Sequence, residues 1–496
     1  MGNIVVDIDQ AGNEIRKVWS FGYNTCHAAL LLRDDLLNQI KKAKTSGFKY
    51  IRFHNIMSSQ VGLYSENEEG ESIYNFENFN KIYDAIIQSG MLPFMEISFC
   101  PEALKSSEKV INHYKGCTSK PASYEKWTQI IKNVIINAIG RYGIECVKKW
   151  YFEVWNEPDL VFFDGSMEDY FELYDHTVLA VKSVNKELRV GGPATSKCKW
   201  IDEFINHIEA GSEISGFKPI PCDFISTHAY PSDLPFLNSA HGDVKLQKSN
   251  VLIELYRGVR ERIDKSSLKG IPLIMGEWNS SAGPFAFNHD EKNNGAFAVK
   301  TMNELKDIID GSLYWNLSDI YEEFGFNYIP FHGGYGLFNV NSIPKSSYNA
   351  FKLLGMVDGA EIKPIGDTED GCGVMASYDK EKKIVNILLY NYVEPDSVKK
   401  KPWTANLAIK GISTDAVSYK SLAINDNAGS AYEWWRSLGS PDYLTPESMM
   451  FLSLKAKMEE NDKIVFKSKN KNAYEISEKI YPGDVKLIQI SNFYNN

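Results

Sequence analysis

Two glutamates stand where acid–base chemistry is expected. Glu157 closes the run Trp155-Asn156-Glu157-Pro158, and Glu277 sits in Met275-Gly276-Glu277-Trp278-Asn279. Each follows a short apolar, β-rich segment, so each is delivered at the end of a strand. Two carboxylates facing each other across a cleft suit cleavage of a glycosidic bond. One protonates the leaving oxygen while the other attacks the anomeric carbon. That division of labour needs different pKa values: burial or a neighbouring negative charge to keep one protonated, and donors to keep the other ionised. His228 and Tyr230 are two apart and share one face of a strand, which points both into the same pocket. His54 follows Arg52 with the same spacing. No HxH, HExxH or carboxylate–histidine cluster appears, so no metal or other cofactor is expected.

The elements that must position these residues show a regular alternation from about residue 20 to about 345. Strand-like runs lie at 20–26, 50–57, 92–99, 150–155, 189–194, 223–230, 272–277 and 312–316. Stretches with apolar residues at helical spacing separate them, such as Trp127, Ile130, Ile131, Val134 and Ile135. Eight strands alternating with helices predict an α/β fold of the (β/α)₈ barrel type, in which catalytic groups occupy the C-terminal strand ends. Strands four and seven, the carriers of Glu157 and Glu277, then face each other across the mouth. Glu96 and Glu153 lie within strands and read as structural partners of buried cations or hydroxyls. After about residue 350, short strand-like runs at 385–392, 403–409, 416–422, 463–466 and 485–490 predict an antiparallel β-sandwich. The opening segment 3–9 is also strand-like and is expected to pair with that sheet. The division is therefore a barrel over 15–345 and an accessory sandwich over 346–496, joined by 1–14.

Composition narrows the class. The 496 residues carry a net charge of −10, with 43% hydrophobic, 24% charged and 13% aromatic residues. That balance argues against nucleic acid or an anionic membrane as partner. No apolar run reaches the ~18 residues of a membrane span. Glycine clusters such as Gly191-Gly192 lack phosphate-binding spacing, which disfavours a nucleotide site. Seven dispersed cysteines read as reduced thiols, and the N-terminal segment has no apolar signal core, so a cytoplasmic location is expected.

The motifs together resemble glycoside hydrolase family 39, the family of bacterial β-xylosidases and α-L-iduronidase. The shared stretches are Tyr50-Ile51-Arg52-Phe53-His54, Arg141-Tyr142-Gly143-Ile144-Glu145, Phe152-Glu153-Val154-Trp155-Asn156-Glu157-Pro158, Val190-Gly191-Gly192-Pro193-Ala194, His228-Ala229-Tyr230 and Phe331-His332-Gly333-Gly334-Tyr335-Gly336-Leu337. The resemblance implies a retaining exo-glycosidase with Glu157 as acid/base and Glu277 as nucleophile. Arg52 and Tyr230 would flank the nucleophile, and Asn156 would meet the sugar 2-hydroxyl. His54 and His228 would serve as hydroxyl partners, Trp315 as an aromatic floor, Glu323 rather than Glu322 as a hydroxyl ligand, and Phe331 as a pocket wall. A β-xylosidase acting on xylo-oligosaccharides is the leading expectation. A β-galactosidase, a β-glucosidase, an arabinose-oligosaccharide hydrolase and a silent sugar-binding barrel are the alternatives. Relatives of this kind often associate, so a homo-oligomer is an open expectation.

Three positions depart from the xylosidase pattern: the first-strand segment Gly22-Tyr23-Asn24-Thr25-Cys26-His27, Trp278 after the nucleophile, and Phe324 after Glu323. No extra Lys or Arg is read near the strand ends, which ranks a uronic-acid glycone low.

Overall fold

The computed structural model describes residues 4–232, 244–395, 397, 401–468 and 472–492. Eight parallel strands close into a barrel: Gly22–His27, Tyr50–His54, Leu92–Ile97, Tyr151–Val154, Arg189–Ser196, Phe224–His228, Leu273–Trp278 and Gly311–Tyr314. They coincide, within a few residues at each end, with the eight runs read from sequence.

Side-chain alternation stacks the barrel interior in layers. At the bottom, Tyr50, Phe94, Tyr151 and Phe224 form an aromatic plug with Phe21, with ring centroids 4.7–6.1 Å apart. Two residues further along the same strands come Arg52, Glu96, Glu153 and Ser226, all buried. Two residues beyond these, His54 and His228 reach the mouth. The apolar plug excludes water from below, so the charged layer above it must find partners within the protein.

Helices ring the barrel because their apolar faces repeat at helical spacing. Tyr124–Tyr142 buries Trp127, Ile130, Ile131, Val134, Ile135 and Ala138, with Ser123 capping its N-terminus. Met167–Val184 starts at a capping box in which Ser166 and Asp169 satisfy each other's backbone N–H groups. The helix Ser346–Met356 begins just past the division at 345 drawn from sequence texture. Phe351 packs on Phe48, Trp278 and Tyr314 at centroid distances of 5.2–6.0 Å, while Asn349 donates to Gly429 O at 3.0 Å and Ala456 O at 2.8 Å, so this helix bridges the barrel and the C-terminal region.

The C-terminal region forms a six-stranded sheet facing a three-stranded one. The first strand, Ile4–Asp7, pairs in parallel with Trp403–Lys410, Ile4 standing opposite Leu407. The central strands of the large sheet are buried on both faces. Leu388, Tyr390, Leu422 and Leu487 join the barrel core, while Ile387, Leu389, Val417 and Ile488 fill the sandwich. This two-sided burial explains why 385–392 reads as a continuous apolar run. Among the described residues, no helix is long and apolar enough to cross a membrane.

Candidate active site

A cavity at the C-terminal ends of the strands is lined by His54, Asn156, Glu157, His228, Tyr230, Glu277, Trp315 and Glu323, together with Leu160, Phe162, Ser196, Lys197, Ala229, Ala282 and Tyr335. Local backbone features aim the two glutamates. The fourth strand ends with Trp155 and Glu157 at φ 68° and 41°, a region that side chains rarely adopt. The turn is held by Glu157 N–H donating to Ala194 O at 2.9 Å and by the Trp155 indole donating to Phe162 O at 2.9 Å. On the seventh strand the register against the sixth slips by one residue, from Thr227 opposite Met275 to His228 opposite Glu277. Gly276 is the extra residue. A Cβ there would lie 2.9 Å from His228 Nε2, so glycine is what lets the imidazole and Glu277 share the mouth.

Glu277 sits among donors. Arg52 Nη1 donates to its Oε1 at 2.8 Å, the Tyr230 hydroxyl donates to its Oε2 at 3.1 Å, and His54 Nε2 lies 3.5 Å from Oε1. Arg52 is fully buried and serves the whole layer. It also donates to Glu153 at 2.6 Å, Asn24 at 3.0 Å and Asn156 at 3.0 Å, and meets Glu96 at 2.8 Å. One guanidinium cannot balance Glu96, Glu153 and Glu277 together. Burial accordingly pushes Glu96 up to about 7 and raises Glu153 despite Arg52.

Glu157 has a different environment. Burial pushes its carboxyl well above the usual range, and the Glu277 charge adds to the shift. Burial raises Glu277 too, but Arg52 and His54 oppose it. His228 bridges the pair, its Nδ1 lying 3.2 Å from Glu157 Oε1 and 3.7 Å from Glu277 Oε2. Its Nε2 faces the Arg52 guanidinium at 3.4 Å, where it can only accept, so Nδ1 carries the proton and donates to Glu157. Desolvation holds His228 well below its ordinary pKa and His54 down at about 3, so both imidazoles are neutral. Glu323 is pushed up to about 8 by burial and by Glu277.

Glu157, His228 and Glu277 bring ligand atoms within 4.8 Å of one another, and among the described residues this is the trio that could hold a metal ion. The Arg52 guanidinium 2.8 Å from Glu277 already supplies a cation there and would repel a dication. Proton transfer and nucleophilic attack fit the trio better.

The family model of glycosyl hydrolases family 39 matches residues 2–470. A beta-xylosidase of Caldicellulosiruptor saccharolyticus is 35% identical over 496 residues, covering 99% of this chain and 98% of that protein. A beta-xylosidase of Geobacillus stearothermophilus is 33% identical over 451 residues, covering 88% and 86%. The solved structure of a monomeric beta-xylosidase from Caulobacter crescentus superposes with a TM-score of 0.90 at 29% identity, covering 100% of both chains. The chain belongs to glycoside hydrolase family 39.

Of the site residues expected for a family 39 chain, the structure brings His54, Asn156, Glu157, His228, Tyr230, Glu277, Trp315 and Glu323 to one cavity, with Arg52 directly beneath. The Trp315 ring packs 4.9 Å from His54. Glu322 turns away and pairs with His27 at 3.3 Å and Arg33 at 3.7 Å. Phe331 is a correction. It is not among the cavity-lining residues but packs 5.5 Å from Trp435 and 6.0 Å from Tyr432, in a cluster with Ile343 and Leu452. The helices Tyr432–Ser437 and Pro446–Lys455 offer that ring an apolar home. Tyr335, four residues on in the same motif, lines the cavity instead.

A second correction is Lys197, a cation at the end of the fifth strand that sequence reading passed over. Leu160, Phe162, Ser196 and Ala282 were missed as well. All lie at strand ends or in following loops, where no periodicity marks direction, and the family motifs quoted above include none of them.

Proposed function

We propose that this protein is a retaining exo-β-xylosidase in which Glu277 is the nucleophile and Glu157 the acid/base. The observation that carries the reading is the separation of the two carboxylates, which bring oxygens within 4.8 Å of each other. A retaining pair stands roughly 5–5.5 Å apart, whereas an inverting pair leaves roughly 6.5–9.5 Å for a water.

Glu277, held ionised by Arg52 and Tyr230, attacks the anomeric carbon while Glu157 gives its proton to the departing glycosidic oxygen. The product is a glycosyl ester on Glu277. Loss of the Glu277 charge removes a term that raised the Glu157 pKa, and Glu157 can then take a proton from water as that water displaces the ester. His228 donates to Glu157 in its ionised state through Nδ1. Asn156, oriented by Arg52 at 3.0 Å, is in place for the sugar 2-hydroxyl. Trp315 with His54 offers a face to the ring, and Glu323, largely protonated at neutral pH, can both donate to and accept from hydroxyls. The names of the two relatives above 30% identity over most of the chain support xylose as the glycone.

The test is a panel of 4-nitrophenyl glycosides (β-xyloside, β-galactoside, β-glucoside, α-L-arabinofuranoside and α-L-arabinopyranoside), with proton NMR of the first-formed sugar. Dominant cleavage of the β-xyloside with β-xylose appearing first is expected. α-Xylose appearing first would overturn the double displacement, and preference for another glycone would replace xylose.

A further inference from the structure

The cavity wall that carries Glu157 also carries a cation. Glu157, Leu160 and Phe162 come from the loop after the fourth strand, and Ser196 and Lys197 from the end of the fifth. Asp159 fastens the two together by accepting from Ser196 N–H at 2.8 Å and from the Ser196 hydroxyl at 2.6 Å. Lys197 follows directly at φ 48°, in the left-handed region that a side chain rarely adopts. It is half-buried, and among the described residues no carboxylate lies within 4.0 Å of its ammonium. Asp159 pairs instead with Lys199, at 3.5 Å. With His54 and His228 neutral, Lys197 is the one cationic side chain lining the cavity among the described residues.

A chain of net charge −10 with the ionised Glu277 in its cavity disfavours anions generally, and Lys197 is the local exception. Its side of the cavity is defined by the chemistry. The acid delivers its proton to the leaving oxygen, so the loops around Glu157, away from Glu277, face the leaving group. This placement rests on the reading of Glu157 as the acid. We propose that Lys197 belongs to a leaving-group subsite that favours aglycones bearing a carboxylate, with Leu160 and Phe162 supplying the apolar face along which the aglycone lies. The carboxylate could come from an aromatic acid or a sugar acid, and the recognition chemistry is the same.

Two substrate pairs test this in the full-length enzyme: 4-carboxyphenyl β-xyloside against its methyl ester, and xylobionate against xylobiose. In Lys197→Met the acid-to-neutral ratio of kcat/KM is expected to fall about five- to tenfold, the size of one charge-assisted contact in a partly solvated site. Lys197→Arg should keep the ratio. For the wild-type enzyme, raising the salt concentration should lower the ratio, because a partly solvated charge contact is screened; this needs no variant to fold. A fall confined to one pair supports the subsite and names its ligand. Equal loss on acid and neutral members would overturn the proposal, as would an unchanged ratio. So would a Lys197 effect confined to 4-nitrophenyl β-glucuronide or α-L-iduronide, where the carboxylate is on the glycone. Ratios are measured on the glycone that the wild-type enzyme cleaves best, with matching acid and neutral aglycones. Failure on β-xylosides therefore counts against the xylosidase reading alone.

Discussion

Glu277 and Glu157 are the same side chain at the ends of two strands of one barrel, yet their surroundings have little in common. Glu277 rests on a polar layer rich in donors, with a guanidinium at 2.8 Å, a phenol at 3.1 Å and an imidazole at 3.5 Å. The carboxyl of Glu157 has one described hydrogen-bond partner, the imidazole of His228 at 3.2 Å, and lines the cavity beside Leu160 and Phe162. Both carboxyls are buried, and burial raises both. What separates them is how much of the lost hydration each regains: donors return it to Glu277, while the single imidazole leaves Glu157 to keep its proton. Identical groups thereby acquire opposite tasks without any difference in their own chemistry.

Breaking the contrast outright should have the largest effect. Glu277→Ala removes the nucleophile, and kcat/KM on 4-nitrophenyl β-xyloside should fall by about 10⁴-fold or more with an unchanged circular dichroism spectrum. Activity near wild type would end the assignment. Glu157→Ala should cost about 10²–10⁴-fold on xylobiose, whose leaving oxygen needs a proton, and much less on the first step with a nitrophenolate. Equal losses on the two substrates would count against the acid role.

The pH profile sharpens the same contrast. Glu157 must be protonated and its pKa is raised, so kcat/KM should hold above the ordinary carboxyl range and fall as pH rises through that raised value. Glu277 must be ionised, so activity should also fall on the acid side. Glu157→Gln, assayed with a good leaving group, should lose the alkaline limb and keep the acid one.

Arg52→Met would strip the polar layer of its cation and leave Glu96, Glu153 and Glu277 buried together. A stability loss of about 3–5 kcal/mol in urea unfolding is expected. The loss should be greatest above pH 7 and smaller near pH 5, where Glu96, with its pKa of about 7, is already protonated. The smallest step is Tyr230→Phe, which removes one donor from Glu277 and should slow turnover about tenfold. An effect under twofold would show that Arg52 and His54 sustain the ionised state without Tyr230.

Much of this contrast was legible in the sequence, because strand alternation is a simple code. Tyr50, Arg52 and His54 sit two apart, as do Phe94 and Glu96, and Tyr151 and Glu153, so the plug, charged layer and mouth can be read from parity. Texture says nothing of how the helix Ser346–Met356 docks, which is decided by packing of Phe351 on Phe48, Trp278 and Tyr314. Nor does parity carry past a strand end. Gly276 shifts the register by one, and the backbone turns left-handed at Trp155, Glu157 and Lys197. Phe331 shows the limit of a motif: its ring went to the nearest aromatic surface, that of Trp435, and Tyr335 took the place on the cavity.

The strand Ile4–Asp7 pairs with residues some four hundred positions later. During synthesis at about 5–20 residues per second, its hydrogen-bonding edge must wait roughly 20–80 s for a partner. The barrel between them can close in that interval, so the small sheet of the sandwich is a late, chain-closing event. A ribosome-bound chain lacking the final hundred residues should therefore expose Ile4 and Val6 to a holdase while its barrel is already assembled.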